Sequence, residues 1–429
     1  MNAVAAALAG GLAPALGLWL ARRARRGKED PARLPERRGI ASLPRPVGRL
    51  LWIHGASVGE ARSALPLLAR ILAAFPSAHA LFTTGTLTSA RMLADALPAR
   101  ATHQFAPLDV PAWAARFLDH WRPDAALWIE SELWPNTLAA LERRGVPAAL
   151  VNARLSPGSF ARWQGIGALL RPPLGAFGVV LAQSPADAGR LAALGARAPS
   201  CAGNIKFDAP LLDADPAALA ALEAALDGRP RWLAASTHPG EDEVVAEAHR
   251  AAARTLPGLA TILVPRHAVR GEEVAARLRA SGLAVARRGA GEPLRPGTEV
   301  YLADTMGELG LFYRLAPLAF IGKSFAVGGG QNPIEAAALG AAILSGPQVA
   351  NFADVFGQLA DSGGARILAT PAELGPAVAA LLADGAARAR MATGAEAVAA
   401  SGRGALERVL AALAPVLAPL GGGEPDARA

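Results

Sequence analysis

At 429 residues and 52% hydrophobic content, the chain is long enough for two domains with their own cores; its Gly and Pro are spread as punctuation, which excludes a low-complexity polymer. A single cysteine, Cys201, excludes an intrachain disulfide and any cysteine-cluster metal site, and suits a reducing compartment. The net charge of +7 is concentrated in residues 22–38, with eight basic and three acidic side chains, so a nucleic-acid partner has little support over the rest of the chain.

Residues 1–21 carry no charged side chain and end near Trp19, a length at the short end of what crosses a bilayer. Positive charge follows this stretch instead of preceding it, which argues against a cleaved signal peptide. The positive-inside rule keeps residues 22–28 cytoplasmic. An uncleaved membrane anchor is expected over 1–21, with a peripheral helix as the alternative, followed by a basic juxtamembrane linker over 22–48.

Short apolar runs then alternate with amphipathic stretches, the pattern of parallel βαβ units. Strands are expected at 50–54, 80–84, 125–129, 148–151 and 179–182. After a Pro-, Asp- and Ala-rich interval the alternation restarts, with strands at 232–236, 260–264, 300–303, 318–321, 342–344 and 365–368. The expected organisation is a first domain over 49–210, a linker over 211–229, a second domain over 230–420 and a flexible tail over 421–429. Both domains are doubly wound α/β units, with a functional cleft expected between them.

Candidate site residues sit where strands end. The strand at 50–54 runs through Gly55-Ala56-Ser57-Val58-Gly59 into Glu60, which delivers a carboxylate to the ligand-binding edge of a parallel sheet. Ser57 and Glu60 equally fit a helix capping box. The helix dipole favours the charged carboxylate, so a base role requires something that opposes it. Glu130 and Glu132 flank the end of the strand at 125–129, and like charge from Glu130 would raise the Glu60 pKa if both face one cleft. Lys206, in Gly203-Asn204-Ile205-Lys206-Phe207-Asp208, reads as a stabiliser of developing negative charge or as an ordinary surface lysine.

In the second half, Pro265-Arg266 follows a strand, and a guanidinium suits phosphate. Met306-Gly307-Glu308 follows another. Gly328 to Gly330 allow close backbone approach, Asn332 suits an N-cap and Pro333 the first helical position, so this helix start could hold an anion; Asn332 to Glu335 also has a capping-box shape.

Taken in order, Trp52 to Glu60, Glu130 to Asn136, Asn152 to Ser156, Gly203 to Asp208, Ala235 to His238, Asp304 to Leu309 and Gly329 to Gly340 resemble the Kdo transferases of Gram-negative lipopolysaccharide synthesis. The resemblance implies a GT-B glycosyltransferase that moves 3-deoxy-D-manno-oct-2-ulosonic acid (Kdo) from CMP-Kdo to a lipid A precursor with inversion. It implies Glu60 as general base and Glu130 and Lys206 as transition-state stabilisers. It assigns Pro265, Arg266, Met306, Gly307, Glu308, Asn332, Pro333, Ile334 and Glu335 to the CMP portion of the donor. Three positions depart from the family's pattern: Gln331 stands for a common His, Lys323 for a usual Gly, and Ala268-Val269 for a usual Pro-Glu pair. No cofactor is expected, and no carboxylate-and-His cluster demands a metal. Inner-membrane lipids are the expected surface for the anchor, on the cytoplasmic side. The alternatives are a GT-B enzyme using a UDP-sugar and a non-catalytic, membrane-anchored nucleotide or glycan binder.

Overall fold

The computed structural model describes residues 13–130, 132–165, 173–325 and 328–421. Ser131, Ala326, Val327, the first twelve residues of the expected anchor and residues 422–429 of the expected tail lie outside them. The chain forms two units, one running to Ala209 and resumed from Gly404, the other spanning Pro210–Arg403.

The first unit holds β1 (Leu50–His54), β2 (His79–Thr84), β3 (Ala101–Phe105), β4 (Ala125–Ile129), β5 (Ala148–Ala153), β6 (Val179–Ala182) and β7 (Ser200–Cys201). They form one parallel sheet in the order β3-β2-β1-β4-β5-β6-β7. Strands β1 and β4 are buried along their whole length, as a sheet covered on both faces requires. One face packs Trp52, Trp128 and Phe117 together. The other receives the helix Val58–Ala74, whose Ala61, Ala64, Leu67, Leu68, Ile71 and Leu72 recur at helical spacing.

The second unit holds β8 (Arg231–Thr237), β9 (Ala260–Pro265), β10 (Val285–Arg287), β11 (Val300–Leu302), β12 (Leu318–Ile321), β13 (Ala342–Ser345) and β14 (Ala365–Ile367). These too form one parallel sheet, in the order β10-β11-β9-β8-β12-β13-β14. Strand order reverses between β1 and β4 in the first sheet and between β8 and β12 in the second, and the carboxyl ends flanking such a reversal open a crevice.

Three expectations need correction. Residues 404–420 belong to the first unit, not the second. Leu406, Val409, Leu413, Val416, Leu417 and Leu420 join the core that covers Leu68 and Ile71. Asp208 fastens this return, its two carboxylate oxygens accepting from the Gly404 and Leu406 backbone N–H groups at 2.6 Å each. Arg408 donates to the Ala202 carbonyl at 3.0 Å. Leu413 is fully buried, so Leu413→Ala is expected to destabilise the first unit by ~3 kcal/mol. Calorimetry should show its transition moving down while that of the second unit stays in place.

The expected linker over 211–229 contains the helix Pro216–Leu226, capped by Asp215. Arg314 donates to the Leu212 carbonyl at 2.6 Å, which ties this segment into the second unit. The basic run is likewise folded. Glu29, Glu36 and Arg37 are buried, Arg33 and Arg23 pair with Glu36 and Glu29, and Glu36 accepts from the Phe105 N–H at 2.7 Å. Buried carboxylates need such partners, and the sequence supplies them as neighbouring arginines.

Of the expected anchor, Ala13–Arg25 is a 13-residue helix, and no described helix is long and apolar enough to cross a membrane. Leu20 is buried against Val110 and Trp113, whereas Leu18 and Trp19 are 77% and 45% exposed.

Candidate active site

Glu60 lies one turn beyond β1, at the strand-order reversal of the first sheet. Ser57 caps the helix Val58–Ala74, accepting from the Glu60 N–H at 3.3 Å. The carboxylate turns back: Oε2 accepts from the Ala56 N–H at 2.7 Å and Oε1 from the Ser57 hydroxyl at 2.9 Å. A capping box usually returns to the N-cap N–H, and here the donor is one residue earlier. Each oxygen keeps a second lone pair, so the cap does not exhaust the carboxylate as an acceptor.

Burial, followed by the negative charge of Glu130, raises the Glu60 pKa to about 7, against the lowering effect of the Ser57 and Ala56 hydrogen bonds. Desolvation is therefore the largest of the forces opposing the helix dipole, ahead of the charges of Glu130 and then Glu132. A carboxylate held near neutrality suits proton abstraction at physiological pH.

Glu130 directly follows β4 across the same reversal. It is 7% exposed and adopts a left-handed backbone, φ 67°. That conformation costs a non-glycine residue about 1 kcal/mol and is a feature of ligand sites. Its carboxylate pairs with the Lys206 ammonium. Lys206 rides on the short turn Ile205–Asp208, which is capped by Asn204. Asn152 supports that turn. At φ 55° and a register shift between β5 and β6, its side-chain oxygen accepts from the Ile205 N–H at 3.1 Å. Three segments distant in sequence thereby converge on Glu60, Glu130 and Lys206.

Glu132 has the opposite environment. Burial works against its charge, but the His54 ring and the Trp134 indole N–H hold it below the usual carboxylate range. Trp134 Nε1 lies 3.0 Å and His54 Nε2 3.6 Å from Glu132 Oε2. His54 is fully buried, its Nδ1 2.9 Å from the Thr83 hydroxyl. Neighbouring carboxylates whose pKa values are driven apart divide into a fixed charge and a proton acceptor.

In the second unit, Pro265 ends β9 and Arg266 follows, its N–H donating to the Thr237 carbonyl at 2.9 Å. Arg266 shares its surroundings with His238, His267 and Lys323. Burial and then the Arg266 charge lower the His267 pKa; burial and then the Lys323 charge lower that of His238. Gln331 Nε2 lies 2.9 Å from His238 Nε2, so the amide stands as donor to that ring nitrogen.

Met306 is 69% exposed and Gly307 left-handed. The Glu308 carboxylate is gripped by Arg288, with Nε at 2.7 Å, and by the Thr305 hydroxyl, and these partners keep it ionised. Pro333 and Ile334 are buried. Asn332 accepts from the Ile334 N–H at 3.0 Å, but Pro333, expected at the first helical position, holds the N-cap instead, and the helix Ile334–Ala338 has only five residues. The negative charge of Glu335 adds to burial in raising the Tyr313 pKa. Two N–H groups of the glycine loop are already engaged: Gly330 donates to Lys323 O at 2.7 Å and Gln331 to Gly322 O at 3.1 Å. An anion at this helix start would therefore not be held by the Gly330 and Gln331 N–H groups.

Sequence reasoning missed Arg288, because β10 is a three-residue edge strand with no apolar run. It also missed Glu241, whose carboxylate accepts from the backbone N–H groups of His238, Lys323, Ser324 and Phe325. A glutamate in the first turn of a helix looks in sequence like any other.

Fold and site define a two-domain α/β protein with a partly buried carboxylate of raised pKa at a strand-order reversal of its first sheet. Solved structures with the same fold include S. aureus MnaA with UDP (TM-score 0.60, 15% identity, 89% of this chain and 100% of that one). Another is the UDP-GlcNAc 2-epimerase of Neisseria meningitidis (TM-score 0.57, 11% identity, 85% and 100%). Residues 32–209 match the family model for 3-deoxy-D-manno-octulosonic-acid transferase. The chain is 40% identical to the 3-deoxy-D-manno-octulosonic acid transferase of Bordetella pertussis over 94% of its own length and 96% of that protein's. It is 36% identical to the Haemophilus influenzae enzyme of that name, over 90% and 91%. The chain belongs to the 3-deoxy-D-manno-octulosonic acid transferase family.

Proposed function

We propose that this enzyme transfers Kdo from CMP-Kdo to a hydroxyl of a lipid A precursor, with inversion at the anomeric carbon, its two domains working as a GT-B pair. The observation that carries the mechanism is Glu60, a carboxylate with a pKa of about 7 and spare acceptor capacity at a strand-order reversal. Glu60 takes the proton from the attacking hydroxyl, the acceptor oxygen bonds to the anomeric carbon, and CMP departs from the opposite face with the bonding pair. Glu130 and Lys206 stabilise the separated charges of the transition state as a fixed pair. Donor binding falls to the second domain, where Arg266 meets the phosphate and the Met306 to Glu308 loop, braced by Arg288, borders the nucleotide.

Incubating the purified protein with labelled CMP-Kdo and a lipid A precursor, beside UDP-sugars as competing donors, tests this reading. Label is expected in the lipid only from CMP-Kdo. Transfer from a UDP-sugar would overturn the donor assignment.

The same reading includes the inner membrane. A glycolipid acceptor lies in the leaflet, and exposed Leu18 and Trp19 beside Arg22, Arg25 and Arg26 suit an interface with anionic head groups. Since Leu20, Glu29, Glu36 and Arg37 are buried in the first domain, a clean test alters only the exposed face. Leu18→Asp combined with Trp19→Asp is expected to reduce cosedimentation with anionic vesicles about tenfold while leaving CMP-Kdo binding unchanged. Equal loss of both would reject the membrane role.

A further inference from the structure

The chain draws its positive charge almost wholly from arginine: of 43 Lys and Arg residues only Lys28, Lys206 and Lys323 are lysine. Lys28 lies in the basic run, and Lys206 is paired with Glu130. Lys323 follows β12 at the strand-order reversal of the second sheet, where a parallel sheet opens to ligand.

Its backbone is left-handed, φ 61°, a conformation glycine adopts freely and lysine under strain. The strain is held in place. Glu241 clamps the N–H groups of Lys323, Ser324 and Phe325, while the Lys323 carbonyl accepts from Gly330. These contacts engage the N–H groups of Lys323, Ser324, Phe325, Gly330 and Gln331, so an anion at these residues would be met by the Lys323 side chain. The stem of that side chain lies against Gly328, leaving no room there for a Cβ. Among the described residues no carboxylate forms an ion pair with its ammonium, while Arg266, His267 and His238 share its surroundings. A lysine with no ion-paired carboxylate among the described residues, beside Arg266 and two imidazoles held neutral, on a clamped and strained loop at a ligand-binding edge, is arranged for an anionic ligand.

We propose that Lys323 binds an anionic oxygen group of the sugar-nucleotide donor, either its phosphate or the carboxylate of its sugar. The inference rests on the CMP-Kdo reading above and adds to it a donor contact made by a side chain.

The test titrates the full-length protein, as wild type, Lys323→Gly and Lys323→Arg, with cytidine, CMP and CMP-Kdo, and records melting temperatures. Lys323→Gly removes the ammonium and relieves the backbone, so two opposite changes are expected: CMP-Kdo binds about tenfold more weakly, and the melting temperature does not fall. Cytidine binds as to the wild type, and Lys323→Arg recovers most of the donor affinity. A loss shared by CMP and CMP-Kdo places the ammonium on the phosphate, and a loss with CMP-Kdo alone places it on the carboxylate. Unchanged affinity for CMP-Kdo in Lys323→Gly overturns the proposal, as does an equal loss with cytidine, which would mean that the loop had merely changed shape. Should wild type bind neither CMP nor CMP-Kdo, the donor reading itself falls.

Discussion

Glu60→Gln is expected to slow Kdo transfer by roughly 10³-fold with fold and CMP-Kdo affinity retained. Gln matches Glu in shape and its carbonyl oxygen can still accept from Ala56 N–H, but it cannot take a proton. The pH profile should change with it. The Glu60 pKa of about 7, set first by burial and then by Glu130, leaves the base mostly protonated in acid. Wild-type kcat/KM should fall about tenfold per unit below pH 7 and level off above it, whereas residual transfer by the variant should lack this limb.

Stability carries the same signature with a definite sign. A carboxyl whose folded pKa lies above its unfolded value holds its proton more tightly when folded. Its contribution therefore favours folding in acid and is lost as pH rises from about 4.5 to about 7. Above pH 7 the wild type carries an ionised, half-buried carboxylate that the amide variant lacks. From pH 5 to pH 8 the melting temperature of Glu60→Gln should move upward relative to wild type, the stability difference between them changing by on the order of 1 kcal/mol. Near-normal transfer by this variant would exclude Glu60 as the base.

Lys206→Met has the second large expected effect. It leaves Glu130 buried without its cation, which costs about 3 kcal/mol in the first domain, and it lowers transfer by roughly 10²-fold. The double variant Glu130→Gln with Lys206→Met separates the two consequences. Its melting temperature should recover, because no uncompensated charge remains, while transfer stays low. Recovery of both would make the pair structural only.

The interior of both sheets was legible in the sequence because strands covered on two faces must be apolar throughout. Leu50–His54, Ala125–Ile129, Val179–Ala182 and Leu318–Ile321 fall at the expected residues. The edge strands β3, β7 and β10 were not legible, since Ala-Thr-His-Gln-Phe and Val-Ala-Arg have no continuous apolar run. Glu60 could be located from its strand end, and so could its two competing readings. Geometry joins them: the carboxylate caps its helix and still keeps lone pairs for a proton. The partners of Glu130 and Lys206 could not be read from spacing, because a left-handed residue and an Asn152 side chain bring them together. The basic run resembled a solvated linker because the buried Glu36 is met by the N–H of Phe105, on a strand made much later.

The return of Gly404 to Leu420 orders the protein's synthesis. The strands of the first domain are all made by Cys201, but Leu406, Val409 and Leu413 leave the ribosome some two hundred residues later, a delay of roughly 10–40 s at bacterial elongation rates. During that interval the apolar side of the helix Val58–Ala74 lacks its cover, while the second domain, continuous in sequence, can complete its own core. The domain made first is therefore the last to close, and the nascent chain is most open to chaperones and proteases on the surface that Asp208 finally pins shut.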